Sequence, residues 1–86
     1  MKPLETTRQF QKLYLKLTEP IRKKVDRKLQ VLADDYHHPN LSAKKMVNRT
    51  DIWEARVDYH YRITFKVMPD CIILMAVGTH AIYRDP

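Results

Sequence analysis

Apolar residues first recur at Phe10, Leu13, Tyr14 and Leu17, the i, i+3, i+4, i+7 spacing of one helix face. Thr6 or Thr7 stands where a hydroxyl oxygen can accept from a free backbone N–H and cap that helix. Thr18-Glu19-Pro20 closes it and opens another, with Thr18 as N-cap and Pro20 in the first turn, where a missing N–H costs little. The second helix aligns Ile21, Val25, Leu29 and Leu32, and its pattern runs out near Asp34 or Asp35. Two amphipathic helices so closely joined predict an αα-hairpin. Ahead of it, residues 3–6 are a candidate opening strand; behind it, His37-His38-Pro39-Asn40 has the composition of a loop.

After Leu41 the period changes to two. Residues 43–47 predict a strand, and Asn48-Arg49-Thr50-Asp51 its turn, Asn being tolerant of the left-handed conformation. Trp53, Ala55 and Val57 then alternate with Glu54, Arg56 and Asp58. Beyond a turn near Tyr59-His60, Tyr61, Ile63, Phe65 and Val67 alternate with Arg62, Thr64 and Lys66. Met68-Pro69-Asp70 is a further turn. Cys71 to Val77 is almost wholly apolar, as a central strand is, and Gly78 is expected to free the chain to turn. Two helices followed by three meandering strands predict an α+β fold: an N-terminal helical hairpin, with a short strand before it, packed on one face of a small antiparallel sheet. The inward set of Trp53, Val57, Tyr61, Ile63 and Phe65 is expected to pack against Phe10, Leu13, Leu29 and Leu32. The outward set stays wet. With no repeat or linker, the 86 residues read as a single domain.

Size limits what such a fold can do. A chain this short buries only about 60% of its unfolded surface, so a deep internal active site is excluded and a surface cleft is expected. One cysteine, Cys71, rules out an intramolecular disulfide and points to a reducing cytoplasm. No apolar stretch approaches the ~20 residues of a membrane span, and no hydrophobic segment follows Met1 as in a signal peptide. The net charge is +6 and unevenly spread: residues 1–50 carry 12 Lys/Arg against 5 Asp/Glu, residues 51–86 carry 4 against 5. This asymmetry suits a polyanionic partner, nucleic acid or acidic protein, or else a solvated surface. Arg22, Lys23, Lys24, Arg27 and Lys28 crowd one face of the second helix. Its like-charge pairs Lys23/Arg27 and Lys24/Lys28 each cost a few tenths of a kcal/mol, roughly. A docking surface for an anionic partner is the expectation that such crowding favours.

The outward side of the sheet collects Arg56, Arg62, Thr64 and Lys66, with Lys44 or Lys45 alongside. Cleavage of RNA by its own 2′-hydroxyl needs a base, an acid and cations for the charge growing on phosphorus, and no metal. His80, just past the last strand, titrates in the range that suits either proton role, with His60 as a weaker second. Arg56, Arg62, Lys44 and Lys45 are candidate phosphate ligands, Arg for its planar donor fork. Tyr83 is a candidate for stacking on a base. Each has a structural alternative: a surface histidine for His80, an Arg62–Asp58 pair across a turn, Arg56 bound to Glu54 or Asp51, and Tyr83 capping the core edge. No glycine-rich phosphate loop or zinc spacing is present. The adjacent His37 and His38 have no further Cys or His near them at ligand spacing.

Three stretches carry a family resemblance: Asp51-Ile52-Trp53-Glu54-Ala55-Arg56-Val57, Tyr61-Arg62-Ile63-Thr64-Phe65, and Ala76-Val77-Gly78-Thr79-His80-Ala81-Ile82-Tyr83. With the upstream hairpin and the His-Pro-x-Leu loop before a Lys-Lys strand, they resemble the RelE/ParE toxin superfamily over nearly the whole chain. The resemblance implies the toxin of a type II toxin–antitoxin pair. In the RelE branch this is a metal-independent endoribonuclease that cuts mRNA on the ribosome. It implies Arg62 on the scissile phosphate, Lys44 and Lys45 as the Lys-rich strand, His80 as the acid–base residue and Tyr83 as the closing aromatic. The expected catalytic set is thus His80, Arg62, Lys45 and Tyr83, and the expected RNA-binding set Lys44, Arg56, Lys66 and His60. Expected partners are a cognate antitoxin, acidic or with an acidic, partly disordered segment, together with mRNA and ribosomal RNA; no cofactor or metal is expected. The same resemblance admits the ParE branch, which binds gyrase, and a non-toxic binding module.

Overall fold

Thr7 shows how the helical half is fixed to the sheet. Its extended backbone lets the side-chain oxygen accept from Phe10 N at 3.1 Å, capping the first helix. The same hydroxyl lies 3.0 and 3.1 Å from the carbonyls of Leu74 and Met75, which share its one proton. In this computed structural model, residues 2–47 and 49–84 are described, apart from the side chains of Tyr83 and Arg84. The elements are β1 (Leu4–Thr6), α1 (Arg8–Leu15), α2 (Glu19–Asp34), β2 (Lys44–Lys45), β3 (Trp53–Arg56), β4 (Arg62–Val67) and β5 (Ile72–Gly78), with 3-10 turns at Pro39–Leu41 and His80–Arg84. Thr18 precedes α2 with extended backbone, but its side chain makes no capping bond among the described residues. Pro20, with its preset φ, is what suits the sequence to start a helix there. Among the described residues no helix is long and apolar enough to cross a membrane.

The five strands lie in the order β1-β5-β4-β3-β2. The three-strand meander is antiparallel, as the alternation predicts. The opening strand is where the sheet departs from a purely antiparallel one: β1 runs parallel to β5, with Leu4 opposite Ile72. β1 is separated in sequence from β5 by both helices and the other strands, so no tight hairpin constrains its direction, and a parallel pairing is open to it.

One face of the sheet holds the core. Phe65, Ile63, Ile72, Leu74 and Ala55 are wholly or almost wholly buried, with Phe10 of α1 and Val25 and Leu32 of α2 against them. Leu13, Leu29, Trp53 and Tyr61 pack at the margin, half-buried. The expected inward set is therefore the observed one.

The opposite face is less wet than expected. Thr64 and Ala76 are both 0% exposed there. Two local features account for it. A β-bulge at Met75 resets the register, so that Ala76 lies opposite Thr64, Val77 opposite Ile63 and Gly78 opposite Arg62. The His80–Arg84 turn then folds back, and Ile82 is 6% exposed. A Cβ on Gly78 would sit 2.8 Å from Ile82 Cγ2. Gly78 does not have positive φ, so its use is the room it leaves for Ile82, not freedom to turn. Among the described residues, the left-handed ones are Ser42 and Asp51. Asn48, expected in the turn before β3, lies outside the described residues.

Candidate active site

Residues opposite one another in a sheet share a face, so register decides which cations meet. Arg56 lies opposite Arg62, and Arg62 opposite Gly78; Lys44 lies opposite Glu54, and Glu54 opposite Thr64. A cleft of about 300 Å³ opens on this face, lined by Ser42, Lys44, Glu54, Arg56, Arg62 and His80. Three basic side chains thus share the cleft with one carboxylate and one imidazole. Lys44 Nζ is 3.3 Å from Glu54 Oε1, and Glu54 is the more enclosed partner, its side chain 12% exposed.

Arg56 opposite Arg62 is a like-charge pair and disfavoured on its own. Arg62 is anchored against that repulsion. Its Nη1 donates to the backbone carbonyls of Asp58, Tyr59 and Tyr61 in the turn joining β3 to β4. The alternative of an Arg62–Asp58 pair is met in altered form, through the Asp58 carbonyl. The Asp58 carboxylate serves the turn itself: Oδ1 accepts from His60 N and Tyr61 N, each at 2.9 Å, and Oδ2 lies 3.2 Å from Lys24 Nζ. Desolvation pushes the Asp58 carboxyl up, but the two N–H bonds and Lys24 outweigh it and hold the group below its ordinary 3.8.

The sign follows from linkage. A depressed folded-state value gives stability that is complete above the unfolded value of about 3.9 and is lost as pH falls through the folded one. Urea unfolding of the parent and Asp58→Asn at pH 7, 5 and 3 is expected to show a stability gap that persists from 7 to 5 and shrinks by 3. A gap independent of pH over this range contradicts the assignment.

Of the eight expected site residues, Lys44, Arg56, Arg62 and His80 line the cleft. Lys45 does not: it lies opposite Trp53, and its Nζ stands 5.8 Å from that ring's centroid, a cation–π distance. Lys66 lies opposite Ile73, past the bulge and away from the cleft. His60 is exposed in the β3–β4 turn, its ring 5.0 Å from that of Tyr59. Tyr83 lies in the His80–Arg84 turn, but its side chain is outside the described residues. Ser42 and Glu54 line the cleft without having been singled out by sequence.

The basic face of α2 is tied to its surroundings. Arg22 Nη1 donates to Leu17 O at 2.8 Å and Lys28 Nζ to Asn40 O at 2.9 Å. Lys23 lies 3.4 Å from Glu19, and Lys24 reaches Asp58. His37 packs on Tyr36 and Trp53, and His38 Nδ1 accepts from Asn40 N. Among the described residues no three His, Cys, Asp or Glu side chains are grouped to hold a metal ion.

No protein-family model and no curated protein sequence matches the chain. Solved structures do match, along almost its whole length. The RelB-RelE antitoxin-toxin complex from Methanococcus jannaschii aligns at TM-score 0.75 and 21% identity, over 94% of this chain and 95% of that one. The YoeB dimer from Staphylococcus aureus aligns at 0.77 and 15%, over 92% and 97%. The E. coli DinJ-YafQ toxin-antitoxin complex aligns at 0.74 and 16%, over 93% of each. At such identities the likeness is one of fold: the chain has the RelE-like α+β fold.

Proposed function

We propose that this chain belongs to the RelE/ParE superfamily, and that it is the toxin of a toxin–antitoxin pair and cleaves mRNA on the ribosome without a metal ion. The observation that supports this reading is the cleft, where Lys44, Arg56, Arg62 and His80 converge on a fold shared with chains of toxin–antitoxin complexes over nearly their full length. An RNA backbone is the polyanion such a cleft suits.

The chemistry is an attack of the 2′-oxygen on the adjacent phosphorus. The 2′ proton goes to a base, the new O–P bond forms, the P–O5′ bond breaks, and an acid returns a proton to the 5′-oxygen. A cyclic phosphate and a free 5′-hydroxyl result. Two proton carriers are needed, and we assign these roles to His80 and Glu54, which both line the cleft. Arg56, Arg62 and Lys44 bear on the charge that builds on phosphorus. Lys45, Lys66 and His60, outside the cleft, contact RNA on either side of the scissile bond, and Tyr83 stacks on a base. The basic face of α2 and the apolar surface around exposed Leu15 are assigned to an acidic antitoxin segment that orders on binding.

Induction of the chain, with and without its antitoxin, followed by primer-extension mapping of RNA ends tests this directly. Cuts within codons of translated mRNA are expected, suppressed by the antitoxin. Growth arrest with inhibited gyrase supercoiling and no cuts favours the ParE branch; growth that is unaffected favours a binding module.

A further inference from the structure

The turn between β3 and β4 contains no glycine: it reads Val57-Asp58-Tyr59-His60-Tyr61. A tight reversal without glycine needs its backbone groups satisfied locally, and an aspartate that accepts from N–H groups two and three residues on is one way to do so. Asp58 does this for His60 N and Tyr61 N. Val57 N closes the turn on Tyr61 O at 3.0 Å. In that shape the carbonyls of Asp58, Tyr59 and Tyr61 all meet Nη1 of Arg62. Each of these side-chain hydrogen bonds of Arg62 uses this one nitrogen. The Nε–Nη2 edge, which presents two parallel N–H groups to an oxyanion, makes none of them.

We propose that Asp58 is a positioning residue for the cleaving cleft: its carboxylate sets the turn whose carbonyls hold Nη1 of Arg62, so that the Nε–Nη2 edge is presented to the scissile phosphate. This deepens the RNA-cleavage reading and rests on it. Lys24 extends the device, since its contact with Oδ2 ties the turn to α2. The basic face of that helix thus reaches the cleft through Asp58, not only through any external partner. A guanidinium opposite a second one, Arg56, has a strong reason to swing away; the three carbonyls supply the opposing restraint.

The test uses the full chain with ribosomes programmed by a short mRNA. Asp58→Ala is expected to lower single-turnover cleavage by about 100-fold, the order of effect of misplacing a catalytic group, with little change in the ribosome concentration giving half-maximal rate. Asp58→Asn keeps an Oδ1 that accepts both N–H groups, and is expected to retain most of the rate. On an Arg62→Ala background, Asp58→Ala is expected to add less than about twofold, because both changes remove one function. Effects that multiply overturn the proposal, and so does an Asp58→Asn rate as low as that of Asp58→Ala. A second readout needs no cleavage. In ¹⁵N-labelled protein the Arg62 Nη signals are expected to be resolved in the parent and in Asp58→Asn, and averaged by rotation in folded Asp58→Ala. If the parent cuts no RNA, the functional reading fails while these signals still decide the positioning; Arg62 signals unchanged in Asp58→Ala overturn it.

Discussion

Arg62→Ala is expected to lower RNA cleavage by about 100- to 1,000-fold, the usual effect of removing one preorganised donor from a site of developing negative charge. The fold is expected to survive. Arg62 is half-buried, the three carbonyls it leaves belong to a surface turn that water can reach, and its loss relieves the repulsion with Arg56 across the strands. Thermal unfolding therefore moves little, while single-turnover cleavage collapses. Arg62→Lys is not expected to rescue the rate: an ammonium is a point charge and cannot present two parallel N–H groups while also bound to the turn. RNA affinity should become less salt-dependent, with the log–log slope falling by about one. A folded Arg62→Ala protein with parental cleavage removes the chemistry from this cleft.

The alternation from Trp53 to Val67 was legible because one side meets the core and the other does not, and period two then assigns every side chain. The bulge at Met75 was not, since the run from Cys71 to Val77 is apolar at nearly every position and leaves the faces indistinguishable. Nor was the cover that Ile82 gives the outer face, which depends on Gly78 lacking a side chain. At the site, adjacency hides what register reveals. Lys44 and Lys45 are neighbours in one strand and so point to opposite faces. Only the pairing of Lys44 with Glu54 and of Lys45 with Trp53 says which one enters the cleft. Glu54 alternated outward like any solvated residue, and its place became evident only from what stands opposite. One contact of α2 was hidden for a related reason: Lys24 finds Asp58, 34 positions away, a separation at which no helical spacing is informative.

Phe65→Ala is expected to be the most damaging single change to stability. Phe65 is 0% exposed. Its ring lies 6.3 Å from that of Trp53 at an interplanar angle of 22°, and it sits between Trp53 and Leu74 in the sheet. Truncation removes the transfer energy of a benzyl group and leaves a cavity that a sheet hydrogen-bonded on both sides cannot close, about 3–5 kcal/mol together. Domains are stable by only about 5–15 kcal/mol, and a chain with this little buried surface belongs near the lower end. The midpoint of thermal unfolding is therefore expected to fall by roughly 15–30 °C. Leu15→Ala, at a residue 73% exposed, leaves it nearly unchanged. The two faces of β4 make this a functional matter as well, because Arg62 and Phe65 are three residues apart on one strand. A core that loosens under Phe65 frees the strand that carries the guanidinium, so cleavage is expected to decline below the unfolding midpoint, before the circular dichroism of the sheet is lost. A fall of only a few degrees would place the centre of the core elsewhere.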